Sequence, residues 1–100
     1  MEITDKISGQ DLAVYGLYWS SDQTFFCCFP KQSKGMNSYR ESEVDVANFE
    51  VGPDFTFAVM TNGIRGVFHK VLLQENLLDG LLEFDSEAYD RFVALLGRIP

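Results

Sequence analysis

Two adjacent cysteines, Cys27 and Cys28, are the residues of this sequence whose chemistry could be redox or metal-binding. They lie in the apolar segment 24–29 (TFFCCF), which has the composition of a β-strand and is ended by Pro30. Successive strand residues point to opposite faces, so the two thiols are badly placed to share a metal ion, and a disulfide between neighbours would be strained. We therefore interpret both cysteines as reduced thiols that fill space on the two sides of one buried strand.

His69 is the only histidine, so any acid–base chemistry near neutral pH would start there. We predict that it lies in a β-hairpin opposite Thr56, with Met60 and Arg65 on the same face. No nucleophile or orienting carboxylate falls beside it in that register. The chain also has no second Cys/His cluster for zinc, no Ca²⁺-loop spacing and no glycine-rich phosphate loop. The sequence thus predicts no enzyme, no metal site and no cofactor.

The charge of the chain is strongly acidic, with a formal net charge of −7. Nucleic acids and anionic membranes attract basic faces, so we expect neither as a partner. A basic protein partner fits better, because complementary charge speeds encounter and disfavours wrong partners. The simpler alternative is that the acids only keep the chain in solution.

The acidic residues are unevenly distributed, since eleven of the fifteen fall in the windows 41–54 and 75–90. Neither window contains Lys or Arg. In and beside the first window, aromatic residues alternate with carboxylates, a mixture that suits aromatic anchors surrounded by charge. We predict that the partner binds Tyr39, Glu41, Glu43, Asp45, Phe49, Glu50 and Asp54. A solvated edge strand is the alternative interpretation of this window, and window 75–90 is the alternative site.

Two hairpins are predicted to position these residues. In the first, a tight turn at Ser21–Asp22 sets Trp19 opposite Thr24, Tyr18 opposite Phe25, Gly16 opposite Cys27 and Tyr15 opposite Cys28. One face then collects Trp19, Tyr15, Leu17, Phe26 and Cys28. This apolar face would meet a curled sheet, the N-terminal segment or a second molecule, so a homodimer is possible.

The second hairpin is predicted from Asn62-Gly63, the pair favoured in a two-residue type I′ turn. Its predicted register sets Thr61 opposite Ile64, Val59 opposite Gly66, Phe57 opposite Phe68 and Thr56 opposite His69. In that register one face is an unbroken apolar surface made of Phe55, Phe57, Val59, Ile64 and Phe68.

The remaining segments complete a single α+β domain over residues 1–100. Residues 31–40 resemble a polar loop, residues 42–47 alternate as an acidic edge strand, and 72–84 has leucines at helical spacing. Asp85 or Ser86 is expected to cap a further helix that ends at Gly97. The predicted fold is a four- to five-stranded antiparallel sheet, consisting of two β-hairpins and the acidic edge strand, packed against C-terminal helices.

Three functions are compatible with these features. The first is a small acidic inhibitor, of the kind of a bacterial immunity protein, that occludes the active-site cleft of a basic, nuclease-type toxin. The second is an acidic secretion or assembly chaperone that holds an extended client on the surface of Tyr15, Leu17 and Phe26. The third is a small-molecule-binding domain with a pocket near His69, Arg65 and Tyr89. With no signal peptide and no long apolar run, we expect a cytoplasmic protein.

Overall fold

The computed structural model describes residues 1–48 and 50–100, and these form an α+β fold with an open antiparallel sheet. The strands are β1 (Glu2–Asp5), β2 (Asp11–Ser20), β3 (Gln23–Cys28), β4 (Asn37–Arg40), β5 (Val44–Asn48), β6 (Phe55–Val59) and β7 (Arg65–His69). The helices are a 3₁₀ helix (Glu41–Glu43), α1 (Lys70–Gln74), α2 (Leu77–Leu82) and α3 (Ser86–Leu96). Among the described helices, none combines the length and hydrophobicity needed to cross a bilayer.

The long strand β2 is the centre of the sheet. The strand order is β4-β3-β2-β1-β5, and the β6–β7 hairpin joins β2 through β7. Residues 11–13 of β2 pair with β1, whereas residues 16–19 pair with β7. The sheet has seven strands because β1 and β4 add to the five predicted ones. Residues 37–40 are polar and were therefore predicted to be part of a loop, but their backbone pairs with β3.

A β-bulge divides β2 into two halves. Val14 pairs with Cys28 and Gly16 pairs with Cys27, so Tyr15 is an extra residue in the ladder with β3. The predicted pairing of Tyr15 with Cys28 is therefore wrong, while the pairings of residues 16–19 are confirmed. Because a bulge changes the alternation of side chains, Tyr15 leaves the face of Leu17 and packs in the core beneath the helices.

The described residues form two separate hydrophobic cores, one on each face of the sheet. The helix-side core contains Tyr15, Cys27, Phe29, Met36, Phe68, Leu72, Leu77, Leu81, Ala88 and Phe92. The second core contains Ile3, Leu12, Val14, Phe26, Cys28 and Val44. The apolar face of the first hairpin was expected to meet a curled sheet, the N-terminal segment or a second molecule. In the structure it is covered by the N-terminal strand β1 and by β5 of the same sheet, which supply Ile3 and Val44.

The second hairpin forms, but its register differs by one residue from the prediction. The Met60 N–H donates to the Ile64 carbonyl at 2.7 Å, and the Gly63 N–H donates to the Met60 carbonyl at 2.9 Å. The loop therefore has three residues, with Gly63 at φ +86° as its left-handed position. The observed pairs are Phe55–His69, Thr56–Phe68, Phe57–Val67, Ala58–Gly66 and Val59–Arg65. A one-residue shift moves Phe68 to the face opposite Phe57 and Val59, so these residues do not form the predicted unbroken apolar surface.

The helices follow the predicted pattern with one interruption. The leucine-rich segment divides into α1 and α2 at Asn76, which adopts a left-handed conformation with φ +54°. Asp85 is the N-cap of α3, because its carboxylate accepts a hydrogen bond from the Glu87 N–H at 3.0 Å. Gly97 ends α3 at φ +80°, as predicted.

Candidate protein-binding surfaces

The first candidate surface is an acidic end of the sheet, formed where β4, the 3₁₀ helix, β5 and β1 meet. We define the acidic end as Asp5, Tyr39, Glu41, Glu43 and Asp45. The Glu43 carboxylate accepts a hydrogen bond from the Arg40 N–H at 3.1 Å, which fixes the turn from β4 into the 3₁₀ helix. The Glu43 carbonyl accepts a hydrogen bond from the Lys6 N–H at 3.0 Å, which ties this turn to the end of β1.

Tyr39 is the aromatic residue of the acidic end. It pairs with Phe26 across β3 and β4 and packs, half-buried, against the second core. Burial raises the pKa of Tyr39 above its ordinary value, a hydrogen bond with Asn37 opposes this rise, and the negative charges of Asp5 and Glu43 add to it. The phenol therefore stays protonated at neutral pH and keeps an O–H group that can donate to a partner.

Cations partly neutralise the acidic end. The Lys6 ammonium lies 3.9 Å from the Asp45 carboxylate and donates to the Ser42 carbonyl at 3.3 Å. Arg40 lies beside the 3₁₀ helix and is exposed. The side chains of Lys6 and Asp45 are 50% and 74% exposed, so water screens their attraction and a basic partner can compete for the carboxylate.

The structure brings only part of the predicted site together. Glu41, Glu43 and Asp45 lie at the first end of β5, whereas Glu50 and Asp54 follow its other end, beyond a strand of about 16 Å. The Asp54 carbonyl accepts a hydrogen bond from the Lys70 N–H at 2.8 Å, so this residue lies beside the start of α1. Phe49 was also predicted as a contact residue, and it lies outside the described residues.

The second acidic window, 75–90, lies on α2, on the first half of α3 and on the turns that flank α2. Glu75 is paired with Arg91 at 2.7 Å, and the Asp85 carboxylate is occupied in capping α3. Asp79, Glu83 and Asp90 are exposed. This window thus presents a helical acidic surface, whose own aromatic residues are Phe84, which is 49% exposed, and the partly buried Tyr89.

A different surface, the helix-free face, was predicted only in part, because Leu17 and Trp19 belong to the face for which a second molecule was one of the expected covers. We define it as Leu17, Trp19, Phe57, Val59, Arg65 and Val67, which share one side of three adjacent strands. One row across the sheet runs Val59–Arg65–Trp19, and the next runs Phe57–Val67–Leu17. Trp19, Phe57 and Val59 are 45%, 59% and 57% exposed. The three-residue loop is what turns Phe57 and Val59 outward, and Asn-Gly alone does not reveal that loop.

His69 has a structural role in the hairpin-to-helix junction. Its Nδ1 accepts a hydrogen bond from the Val71 N–H at 3.2 Å and thereby caps α1. The ring packs against Tyr15 and Phe55 at centroid distances of 6.0 and 5.5 Å, and Phe55 takes the cross-strand position predicted for Thr56. Burial lowers the pKa of His69, and the negative charge of Asp54 partly opposes this shift.

The pocket expected near His69, Arg65 and Tyr89 is not formed by these three residues. A cleft of about 460 Å³ lies beside Tyr89, between the start of β2 and the loop after β3. Its lining includes Tyr15, Phe29 and Lys31, but neither His69 nor Arg65. No group of three or more Cys, His, Asp or Glu residues able to hold a metal ion is present in residues 1–48 and 50–100. No protein-family model, curated protein or solved structure matches the chain.

Proposed function

We propose that the chain is a small acidic inhibitor that binds a basic protein partner through the acidic end. The partner class is that of a nuclease-type toxin, and the function is that of a bacterial immunity protein that occludes the toxin's active-site cleft. The observation that carries this proposal is that the negative charges of Asp5 and Glu43 act on the half-buried Tyr39, while Glu41 and Asp45 lie exposed on the adjoining 3₁₀ helix and β5.

The geometry of the acidic end suits the occlusion of a cationic cleft. Its carboxylates come from three elements, β1, the 3₁₀ helix and β5, so they form a patch rather than a line along one strand. The backbone beneath Glu43 is fixed by its hydrogen bonds with Arg40 and Lys6, which limits the entropy lost when a partner binds. A nuclease cleft arranges cations to hold phosphates, and fixed carboxylates present a similar set of acceptors.

Charge and aromatic contact would then play different parts in binding. The net charge of −7 attracts a basic partner over a distance and raises the association rate, an effect that falls with added salt. Tyr39 would supply apolar contact and a hydrogen-bonding hydroxyl at the centre of the interface, which slows dissociation.

The chaperone alternative loses most of the surface on which it was based. Tyr15 and Phe26 are both buried, the first under the helices and the second under β1 and β5. Only Leu17 of the three remains partly exposed, and it belongs to the helix-free face. An extended client would therefore need a surface other than the predicted one.

The test compares binding by two variants with matched loss of charge. The site variant carries Glu41→Gln, Glu43→Gln and Asp45→Asn, in which the glutamine at 43 keeps an acceptor for the Arg40 N–H. The control variant carries Asp79→Asn, Glu83→Gln and Asp90→Asn on the helical acidic surface. Each immobilised protein is incubated with native lysate at low and at high salt, and the retained proteins are identified by mass spectrometry.

We expect the wild type and the control to retain one basic protein that high salt releases, and the site variant to lose it. The purified partner should have nuclease activity that the wild-type chain suppresses. Equal retention by all three proteins contradicts the proposal, and loss by the control alone moves the site to window 75–90. A retained partner without nuclease activity leaves an acidic binding module but rejects the immunity function.

A further inference from the structure

The cleft beside Tyr89 lies at an end of the sheet face beneath the helices that the helices leave open. Leu12 and Val14 pack in the second core, so the alternation of β2 places Asp11 and Ala13 on the face beneath the helices. Ala13 is nevertheless exposed. The volume of about 460 Å³ falls in the range of roughly 300–1,000 Å³ that small-molecule sites occupy. The cleft is therefore large enough for a small organic ligand.

The inner lining of the cleft consists of aromatic side chains that the core holds in place. The Phe29 ring packs edge-to-face with Tyr15 at a centroid distance of 5.5 Å and with Tyr89 at 6.0 Å. Tyr15 and Phe29 are only 6% and 7% exposed, yet both line the cleft. Tyr15 is also the bulged residue of β2, and bulges often direct a side chain towards a ligand site. A planar apolar group can thus pack on rings whose positions are fixed before it binds.

Two lysines lie at the opening of this apolar cleft. Lys31 and Lys34 belong to the loop after β3, and both are exposed and line the cleft. Neither lysine takes part in a salt bridge with another of the described residues. Their ammonium groups are therefore available to an anion, in a chain whose net charge of −7 otherwise repels anions.

The loop that carries the lysines has a defined backbone. The Ser33 N–H donates to the Pro30 carbonyl at 3.1 Å and closes a β-turn. Gln32, the third residue of this turn, has φ +63°, a left-handed conformation that glycine or asparagine usually takes. The Gly35 N–H donates to the Ser33 hydroxyl at 3.3 Å and fixes the end of the loop. Strained positions of this kind cluster at ligand sites, and here the lysines on both sides of Gln32 line the cleft.

Asp11 is the one acidic side chain among the described residues that line the cleft. Its carboxylate accepts a hydrogen bond from the Thr4 hydroxyl at 2.7 Å, which holds it against β1. The lining side chains thus contribute two positive charges and one negative charge. This balance favours an anion over a cation, and it predicts that Asp11 weakens the binding of an anion.

We propose that the cleft binds a small organic anion with a planar apolar body. The body packs against Tyr15, Phe29 and Tyr89, and the carboxylate, sulfonate or phosphate of the ligand lies near Lys31 and Lys34. An inorganic anion lacks the apolar contact, and a cationic ring lacks the attraction to the lysines. None of the residues of the acidic end lines the cleft, so this site does not depend on the proposed inhibitor function.

NMR titration of the isotope-labelled wild type with naphthalene sulfonate tests the proposal. We expect saturable shifts of the amide signals of residues 11–15 and 31–34 and of Tyr89. Naphthylmethylammonium has the same ring with the opposite charge, and inorganic phosphate has the negative charge without a ring. Each of these two probes should bind about tenfold more weakly, because each lacks one of the two contacts.

Variants of the charged side chains should have opposite effects on the binding of naphthalene sulfonate. Lys31→Gln with Lys34→Gln should weaken it about fivefold, because two exposed attractions are lost. Asp11→Asn should tighten it about twofold, because a repulsion is lost. The asparagine keeps an acceptor for the Thr4 hydroxyl, so the contact with β1 remains.

Two controls separate these local effects from the change in net charge. Arg65→Gln with Lys70→Gln removes two positive charges, and Asp22→Asn removes one negative charge, at residues that do not line the cleft. Both controls should bind naphthalene sulfonate like the wild type. The comparison of the three probes on the wild type needs no variant, so it decides the proposal even if a variant does not fold.

Each result decides the proposal. Saturable shifts at the expected residues, with naphthalene sulfonate bound most tightly, support it. A wild type that shows no saturable shift, or shifts centred on other residues, overturns it. Equal affinity for the cationic ring overturns it as well, and so does equal weakening by the lysine variant and its control. The titration uses no protein partner, so this site and the proposed inhibitor function can fail separately.

Discussion

Cys27 and Cys28 are neighbours in the chain, but their side chains lie in two different hydrophobic cores. Cys27 packs beneath the helices, and Cys28 packs with Ile3, Phe26 and Val44 under β1 and β5. Both are free thiols with no exposed surface. Central strands between two apolar layers need small apolar side chains on both faces, and cysteine meets this need.

Replacement of either cysteine by alanine should lower stability. Cys27→Ala and Cys28→Ala each leave a small cavity and should cost about 1 kcal/mol, or several degrees in Tm. The losses should add in the double variant, because the side chains share few packing partners. Thermal and urea unfolding of the three variants measures this, and an unchanged Tm would refute the packing role.

The thiols should also be unreactive in the folded protein. Burial raises the pKa of Cys27 to about 12, despite a hydrogen bond with Ser38 that lowers it, and burial raises the pKa of Cys28 as well. Only the thiolate attacks a disulfide reagent, so at pH 8 the native chain should react very slowly with Ellman's reagent. In denaturant, both thiols should react at once. Rapid reaction of one thiol under native conditions would show that one of the cysteines is accessible.

The hairpin register can be tested with two phenylalanines. Phe68 is 1% exposed in the helix-side core, whereas Phe57 is 59% exposed on the opposite face. Phe68→Ala should therefore cost about 3–5 kcal/mol, and Phe57→Ala should stay within about 0.5 kcal/mol. Urea unfolding of the two variants compares them. Similar losses for both variants would favour the predicted two-residue turn over the observed three-residue loop.

Stability should depend on the protonation of His69. Burial lowers the pKa of His69 in the folded state, so the unfolded state binds a proton more readily than the folded state does. The neutral form of His69 therefore contributes fully to stability above the pKa of about 6.5 that it has in the unfolded state. This contribution is lost as the pH falls through the lower pKa that it has in the folded state. Protonation also removes the Nδ1 acceptor that caps α1.

We expect Tm to fall modestly between pH 7.5 and 5.5, a window in which carboxylates of ordinary pKa hardly titrate. The control His69→Asn keeps a capping acceptor without a titrating group, and its Tm should be nearly flat across the same window. Parallel slopes for the wild type and this variant would show that another group is responsible.

The first hairpin was predictable because its two-residue turn lies in a local cluster of turn-forming residues between two apolar runs. Ser21 and Asp22 both have positive φ, at 51° and 62°, as a two-residue type I′ turn requires. The bulge at Tyr15 was not predictable, since it depends on placing that ring beneath helices distant in the sequence. The second turn was ambiguous because Gly63 fits both loop lengths, and the burial of Phe68 selects the longer one.

The acidic end was predictable only in part. Tyr39, Glu41 and Glu43 are close in the sequence, so the turn that joins them is local. Asp5 and Lys6 join them through the pairing of β1 with β5, which links residues about forty positions apart and leaves no local signal. Strand pairing also fixes the extent of β5, which separates Glu50 and Asp54 from Glu41 and Glu43. The sequence alone does not show this separation.

The three neighbours of β2 set the order in which the chain can fold. β2 pairs with β1 and β3, which are close in the sequence, and with β7, which begins at Arg65. During synthesis, both early pairings can form while the later half of the chain is still in the ribosome. The second half of β2 must then keep one edge open until residues 65–69 emerge. Binding of a chaperone or another nascent chain would therefore be concentrated on the edge of residues 16–19, which is fully paired in the native protein.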